Sequence, residues 1–533
     1  MKSPLPLLRG AAGAALFAVL AGCAARSPFP DRPRPETLPP ESPLRSATLA
    51  DGDAWLRHYL MAGDHEAALR LLHAGARTAP RDELVRRLQL GVVLHQAGRH
   101  AASNEAFEWA EREAERRYTR SASRGVGSLL VNDGVLEYVP TLPERAMVPY
   151  YRMLNYLALG DREAAVVEAR KAGLLLADRE PGKHCSGEAF LPYLAGMVYQ
   201  AAGERNDALV SLRRAERAFQ GCAAEGFAAP GSLGPDLFRA ASELGVREVA
   251  DSARARYGLT ASPGVPTAEL VVMVEHGWVA HRTGEDIHVP VFPEDLDGLD
   301  GDDDEGVAAA AARVTARLFR NLGEQSRWGS AFDEHPAARW AATLSGAHVL
   351  KFAWPVYRLE AARPLEVRVL VDGAAAAAVP VEDVSGAVVR EFERRRPLVL
   401  TRAVGRGVVK FLAAREVEKK AEKEGGEVAG YVLGRIANLA GNALEQADTR
   451  SWSLLPDRIS LARLPLAPGE HRVRITVRGG AGERVDTLDL GTVAVRAGER
   501  AFLSRRAWGA DPGDPDRVRE WRRRGAADGY DTR

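Results

Sequence analysis

The chain has 533 residues, with 72 lysine and arginine residues balanced by 72 aspartate and glutamate residues. A chain of this length predicts two or three domains with separate hydrophobic cores. The charge balance excludes a global field that would gather nucleic acid or coat an anionic membrane, so we expect no nucleic-acid partner. Partners must instead be recognised by local patches.

Residues 1–22 have the pattern of a bacterial export signal. Lys2 and Arg9 form the positive region, and an apolar run without charge follows at residues 11–20. This run is about half of the ~20 residues that a membrane-spanning helix needs. The pattern therefore disfavours a transmembrane anchor and predicts an exported protein.

Leu20-Ala21-Gly22-Cys23 has the form of a lipobox. The Cys23 thiol can take a diacylglyceryl group and its freed amine a further acyl chain, and each buried CH₂ adds about 0.8 kcal/mol to membrane anchoring. The alternative is a secretory signal in which Cys23 is incidental. Ala24 stands where an aspartate would signal inner-membrane retention, so we expect lipidation at Cys23, an outer-membrane location and a folded body facing the periplasm.

Residues 23–47 are rich in proline and charge and are expected to form an extended tether. Residues 48–260 then show paired amphipathic helices, separated by turns at Ala62-Gly63-Asp64, Ala97-Gly98-Arg99, Leu159-Gly160-Asp161 and Ala202-Gly203-Glu204. Two of the helix pairs carry small residues facing larger ones, at Leu88, Gly91, Leu94, Phe107 and Ala110 and at Tyr193, Leu194, Gly196, Tyr199, Ala208, Leu212 and Ala215. This arrangement predicts a tetratricopeptide-like helical repeat domain. Because the turns are irregularly spaced, an ordinary helical bundle is the alternative.

The cysteines predict one disulfide. With Cys23 lipidated, Cys185 and Cys222 remain as a pair in an oxidising compartment. The helices expected at 188–202 and 205–219 form an antiparallel hairpin, which places the residues that flank it at the same end. We therefore expect Cys185 to pair with Cys222.

From about residue 266 the hydrophobic pattern changes to the alternation that strands show. The expected strands are 270–274, 348–352, 365–371, 459–464, 470–478, 485–495 and 501–505. The predicted fold is a multidomain α plus β fold, in which the helical repeat domain is followed by a β-rich, sandwich-like domain at 266–508. This domain is expected to contain an inserted helical hairpin at 385–447. Residues 509–533 are expected to be a disordered tail.

Three segments carry unusual composition. Asp295–Glu305 is acidic, and a solvated linker is favoured over a cation site. Arg402, Arg406 and Lys410 form a basic stripe at helical spacing, interpreted either as a solvated face or as a contact with anionic glycan or lipid headgroups. The helix expected at 427–445 has one face of small residues, Gly430, Gly434, Ala437 and Gly441. Because glycine disfavours a helix, this face suggests that another helix, a second copy or a membrane approaches the backbone closely.

Several strings resemble a family of uncharacterised bacterial outer-membrane lipoproteins with tetratricopeptide-like repeats. They are Tyr138-Val139-Pro140, Pro143-Glu144-Arg145-Ala146-Met147-Val148-Pro149-Tyr150-Tyr151, Asn155-Tyr156-Leu157-Ala158-Leu159-Gly160-Asp161, Val167-Glu168-Ala169-Arg170, Thr401-Arg402-Ala403 and Ala447-Asp448-Thr449-Arg450-Ser451-Trp452-Ser453-Leu454-Leu455-Pro456. The resemblance implies an envelope lipoprotein without catalytic residues that helps other lipoproteins or cell-wall proteins assemble. The sequence departs from the family pattern at Val279-Ala280-His281-Arg282.

These strings contain the candidate interaction residues Glu144, Arg145, Tyr150, Tyr151, Asp448, Arg450 and Trp452. Glu144 and Arg145 are compatible with a catalytic carboxylate and an anion binder, but an ion pair that ties residues 119–147 to the next helix hairpin is favoured. Asp448, Arg450 and Trp452 are equally compatible with partner recognition and with a structural cap that locks a helix onto the sheet.

The sequence shows no motif for enzymatic chemistry, whether a Gly-x-Ser-x-Gly elbow, a phosphate-binding loop or a dinucleotide fingerprint. His276, His281 and His288 lack the spacing of zinc ligands, so no metal or cofactor is predicted. The favoured function is a protein-binding scaffold in cell-envelope biogenesis, anchored to the membrane by its N-terminal lipid. The alternative is a peptidoglycan hydrolase or another periplasmic enzyme.

Overall fold

The computed structural model describes residues 51–75, 80–123, 137–181, 188–223, 228–260, 267–291, 348–358, 365–396, 447–479 and 484–507, with isolated positions at 313 and 399. Several sequence predictions lie outside these residues. They are the signal and lipobox with Cys23, the tether, Cys185, Asp295–Glu305, the basic stripe at 402–410, the glycine strip at 427–445 and the tail.

The first half of the described chain is helical. The helices are α1 (Asp51–Ala62), α2 (His65–Gly75), α3 (Glu83–Gln96), α4 (His100–Ser123), α5 (Leu142–Ala158), α6 (Arg162–Leu175), α7 (Phe190–Ala202), α8 (Arg205–Cys222), α9 (Leu233–Glu243) and α10 (Arg247–Tyr257). A 3₁₀ turn, Pro80–Asp82, precedes α3, and a further helix, α11, covers residues 384–396. None of the described helices is both long and apolar enough to cross a membrane.

Successive helices pack as hairpins, α1 with α2, α3 with α4, and so on to α9 with α10. The hairpin turns at Gly63, Gly98, Gly160 and Gly203 were predicted, and each glycine has a positive φ of 72–81°, a conformation that disfavours any other residue. Within two hairpins the helices approach closely at a small residue. A Cβ at Gly196 would lie 2.8 Å from Cδ2 of Leu212, and a Cβ at Gly91 would overlap the Phe107 ring. The array is therefore tetratricopeptide-like, as predicted.

The second half contains the strands. They are β1 (Ala268–His276), β2 (His281–Val291), β3 (His348–Arg358), β4 (Leu365–Val371), β5 (Ala374–Asp383), β6 (Arg458–Leu466), β7 (Gly469–Gly479), β8 (Arg484–Val495) and β9 (Arg500–Ala507). A turn at Asp372-Gly373 joins β4 to β5, with both residues at positive φ.

Seven of these strands form one sheet in the order β8-β7-β4-β5-β6-β1-β9, while β2 and β3 pair separately. The sheet is mixed, because β9 runs parallel to β1 and the other neighbours are antiparallel. Its two terminal strands approach each other, so the sheet is nearly closed into a barrel. The prediction of a sandwich was wrong, because the apolar faces of all seven strands meet inside one curved sheet instead of between two flat ones.

The sheet interior and its outer face hold different cores. Leu270, Val272 and Val274 of β1 point inward and join apolar residues of the other strands. Val271 and Met273 point outward into a cluster that also contains residues of α1 to α10. Because β1 is buried on both faces, the boundary predicted near residue 260 separates secondary-structure types that share one core.

Two strands were missed in the sequence. The run Ala374-Ala375-Ala376-Ala377-Ala378 in β5 has high helix propensity, yet it pairs with β4, and the residues that follow it pair with β6. β2 is not among the expected strands, and it pairs with β3. In both segments strand pairing overrides local propensity.

We expect Gly91→Ala to lower the free energy of unfolding by about 1–3 kcal/mol, because the added methyl group overlaps the Phe107 ring. Gly173→Ala is the matched control in α6, where a Cβ would meet no atom within 4 Å, and it should raise the free energy by up to about 1 kcal/mol. Chemical denaturation of the purified protein measures both. Equal effects of the two substitutions would contradict the close approach.

Candidate functional site

Glu144 is a buried structural carboxylate near the start of α5. It accepts hydrogen bonds from the Tyr138 hydroxyl at 2.6 Å, from the Thr141 backbone N–H at 2.7 Å and from the Trp452 backbone N–H at 3.0 Å. Burial, together with the Glu144 charge, raises the pKa of Tyr138. Through these contacts Glu144 holds two segments against the start of α5, the one that precedes this helix and the loop at residue 452.

Arg145 does not pair with Glu144. Its guanidinium lies 3.0 Å from a Glu115 carboxylate oxygen and 5.1 Å from the ring centroid of Tyr118. Glu144 and Arg145 thus do not pair with each other, and Glu144 ties the preceding segment to the hairpin through its hydrogen bonds with Tyr138 and Thr141. The two neighbours diverge because adjacent helical residues point in different directions.

Glu275 on β1 is the centre of a buried network. Its carboxylate accepts hydrogen bonds from the hydroxyls of Tyr150 and Tyr151, each at 3.0 Å, and from Ser504 at 3.2 Å. The Arg506 guanidinium lies 3.3 Å away. Burial and the nearby carboxylate raise the pKa of both tyrosines well above the ordinary value. The network joins α5 to strands β1 and β9.

Trp452 is buried between helices and is not exposed to a partner. Its ring lies 5.8 Å from Phe107 and 6.3 Å from Tyr151, measured between centroids. Arg450 lies beside Asp448, with 2.7 Å between Nε and the carboxylate, and reaches Asp82 at 3.3 Å. The residue 448–452 segment thus contacts the start of α3 and the aromatic core, which supports the structural interpretation over surface recognition.

A cationic clamp around Trp278 was missed in the sequence. The guanidinium carbons of Arg57 and Arg506 each lie 4.8 Å from the Trp278 ring. Arg57 also donates to the carbonyls of Ser453 and Val279. Its partners are backbone atoms 222 and 396 positions away along the chain, so no local pattern could have revealed the clamp.

A second missed network joins the helices to the sheet. Arg463 on β6 donates to the Tyr193 hydroxyl at 2.7 Å and to Glu269 at 2.8 Å, and it also contacts Asp236. Arg500 on β9 lies 2.6 Å from the second oxygen of Glu269. These pairs bind α7 and α9 to strands β1, β6 and β9.

Two of the predicted histidines, His276 and His281, are buried. Desolvation by burial lowers the pKa of His276 to about 4 and that of His281 to about 4. His276 lies 3.1 Å from the Ser460 hydroxyl. His288 belongs to β2. Among the described residues, no group of three or more His, Cys, Asp or Glu side chains is placed to hold a metal ion.

Cys222 is the last residue of α8, where it is buried and disulfide-bonded. Its predicted partner, Cys185, lies outside the described residues. The pairing of these two cysteines stays a prediction.

The accessible candidate site is a groove of about 560 Å³ on the helical array, and we call it the array groove. It is lined by Leu88, Ala110, Glu111, Arg112, Ala114, Glu115, Pro140, Glu144, Arg145, Val148, Pro149, Lys171, Leu174 and Leu175. Leu174 is 76% exposed at its edge. Ion pairs from Arg145 to Glu115 at 3.0 Å and from Lys171 to Glu111 at 2.8 Å cross between helices. The groove combines apolar surface with charges of both signs.

No protein-family model matches the chain, and no curated protein matches it in sequence. Among solved structures, BtubC (BKLC) from P. vanneervenii is similar, with 18% identity and a TM-score of 0.28 over 39% of this chain and 77% of that chain. The TPR-like repeats of a Podosopora anserina kinesin light chain are similar at 17% identity, with a TM-score of 0.26 over 39% of this chain and 92% of theirs. The resemblance to envelope lipoproteins stays a prediction.

We expect Glu275→Leu to lower the free energy of unfolding by about 3–5 kcal/mol, because it leaves Arg506 and two tyrosine hydroxyls buried without their acceptor. The control is Arg472→Ala, which removes an exposed ion pair with Asp489 and should change stability by less than about 1 kcal/mol. Chemical denaturation followed by circular dichroism measures both. A Glu275→Leu protein as stable as the control would show that the network is not a structural tie.

Proposed function

We propose that this protein is an outer-membrane lipoprotein whose helical array binds other envelope proteins, as a scaffold in cell-envelope biogenesis. The observation that carries the binding role is the array groove, with its apolar surface and its exposed Leu174. Burying a leucine side chain is worth about 1.5–3 kcal/mol. A partner segment that covers Leu174 would gain this free energy.

The walls of the array groove are suited to a partner segment that carries both apolar and charged side chains. The cross-helix pairs of Arg145 with Glu115 and of Lys171 with Glu111 support the spacing of the helices around the groove. Val148, Pro149 and Leu175 supply apolar contacts between these charges. An amphipathic helix can place its apolar face on such a surface and its polar residues against the rim.

The location rests on the lipobox and the tether. Acyl chains on Cys23 would hold the N-terminus in a membrane leaflet. The 23–47 tether is proline-rich and would span on the order of 75 Å at about 3.1 Å per residue if it were fully extended. This reach lets the array bind partners that stand off the membrane surface, including cell-wall proteins.

We expect Leu174→Asp to abolish capture of partner proteins in crosslinking pull-downs from intact cell envelopes, because it puts a charge on the apolar edge of the groove. Val210→Asp is the matched control, since Val210 is 60% exposed on α8 and does not line the groove. Both variants should melt at the wild-type temperature. Unchanged capture by Leu174→Asp, or equal loss in both variants, would argue against the groove as the binding site.

We expect Cys23→Ser to prevent lipidation, because serine lacks the thiol that accepts the lipid. The wild-type protein should incorporate labelled palmitate and fractionate with the outer membrane, whereas the variant should incorporate none. Cys222→Ser separates this effect from general loss of a cysteine and should still be labelled. Labelling of Cys23→Ser would show that the lipobox assignment is wrong.

A further inference from the structure

The nearly closed sheet has an open seam between β8 and β9. These strands are the two ends of the sheet, and residues 496–499 join them. The described pairings include none between them, although they approach each other. Among the described residues, β8 and β9 therefore diverge from their connecting turn without pairing, and each has an unpaired edge that faces the other.

A cleft follows this seam. Two adjoining cavities of about 850 and 270 Å³ share His95, Ser504 and Arg505 in their walls. Val493 of β8 lines the larger cavity and Leu488 of β8 lines the smaller one. The helix-hairpin turns supply the remaining wall, including His100, Gly160, Gly63 and His65. The cleft is thus bounded by two strand edges and by the end of the helical array, and we call it the seam cleft.

The register identifies which peptide groups face the seam cleft. The Glu269 backbone N–H donates to the Glu499 carbonyl at 2.9 Å. In a parallel ladder the peptide groups of alternate residues face the same neighbour, so those of Phe502 and Ser504 face away from β1. The Ser504 carbonyl on this open edge accepts a hydrogen bond from the Arg505 guanidinium at 2.8 Å. The edge is therefore open to pairing except where Arg505 covers it.

Side chains along the seam alternate between charge and apolar surface. On β9, Leu503 and Ala507 contribute to the core inside the sheet, and Arg505 lies between them on the same side of the strand. Arg505 is nevertheless exposed, because the sheet is open at this point. Leu490 and Val493 of β8 are half-buried on the opposite side of the seam.

Arg505 differs from the arginines around it. Arg500 pairs with Glu269 at 2.6 Å, and Arg506 pairs with Glu275 at 3.3 Å. Within the described part of the chain, Arg505 has no carboxylate partner, and its hydrogen bond is to the neighbouring carbonyl. Partial withdrawal from water lowers its pKa, and burial lowers the pKa of nearby His95. Arg505 is thus an exposed positive charge that has no carboxylate partner among the described residues and is available to an external anion.

We propose that the seam cleft binds an extended segment of a partner protein as an additional strand between β8 and β9. The segment's apolar side chains alternate toward Leu503 and Val493, and a carboxylate side chain pairs with Arg505. Backbone hydrogen bonds to an open sheet edge supply affinity, and alternate side chains supply specificity. The chain's own tail does not fit, because Pro512 and Pro515 cannot donate to a ladder and residues 509–520 lack apolar alternation.

The test uses the full-length protein and a fluorescein-labelled peptide of alternating valine and threonine, with capped ends and one glutamate at a valine position. We expect binding, measured by fluorescence anisotropy, and an affinity about tenfold lower for Arg505→Gln because a charge-assisted hydrogen bond is lost. Arg116→Gln, which changes an exposed arginine on α4 that lines neither the seam cleft nor the array groove, should bind as the wild type does. A peptide with glutamine in place of glutamate should bind the wild-type protein about tenfold more weakly than the glutamate peptide does. The two peptides should bind Arg505→Gln with equal affinity.

Four results would overturn the proposal. The first is no binding of the glutamate peptide to the wild-type protein. The second is tighter binding by Arg505→Gln, which would make Arg505 a guard that blocks the edge. The third is binding that survives N-methylation of alternate peptide nitrogens, because such a peptide cannot pair with the strand edges. Sedimentation of the wild type as a dimer that the peptide dissociates would also overturn it, by assigning the cleft to a second copy.

The seam cleft and the array groove share no lining residue, so the two proposals are independent. Leu174→Asp should bind the glutamate peptide with wild-type affinity. Arg505→Gln should keep the partners captured through the groove.

Discussion

Glu275 is the buried carboxylate that connects α5 to the two strands at one end of the sheet order, β1 and β9. It lies on β1, the strand buried on both faces, and its four hydrogen-bonding groups come from α5 and β9. A buried carboxylate is stable only when its charge is compensated. Arg506 supplies that charge and simultaneously contacts Trp278, against which Arg57 of α1 lies from the other side. The first helix and the last strand are therefore connected through one chain of buried contacts.

This connection decides which surfaces are available for binding. The aromatic and acidic residues of α5 form hydrogen bonds with Glu275, Trp452 and Tyr138, so they hold the helices against the sheet and the residue 452 loop. The exposed features lie on either side of them in the fold: the array groove formed by α3 to α6, and the seam cleft where the hairpin turns meet β8 and β9. A protein with two such surfaces can hold two partner segments at a fixed separation, as a scaffold protein does.

Sequence patterns predicted the elements well where the signal is local. Glycines at hairpin turns need a positive φ, and residues such as Gly160 therefore mark helix boundaries without tertiary information. Alternation in 365–371 matches β4 to the residue. The candidate site residues were found as a group, but partner recognition and a structural role stayed equally open for Asp448, Arg450 and Trp452, because polar and aromatic composition does not distinguish a buried network from a binding surface. Arg57, Trp278 and Arg463 were missed since their partners are hundreds of positions away.

From its sequence alone, this protein is a chain of helix hairpins followed by strands, because turn glycines and hydrophobic period are properties of neighbouring residues. Only the tertiary structure decided that the strands form one nearly closed sheet and that its outer face and the helices share a core. The alanine run of β5 became a strand because β4 pairs with it, while β6 pairs with the residues of β5 that follow the run. Glu144 and Trp452 became interior residues because segments 308 positions apart meet at the start of α5. Such contacts depend on how the elements assemble in space, which no local spacing encodes.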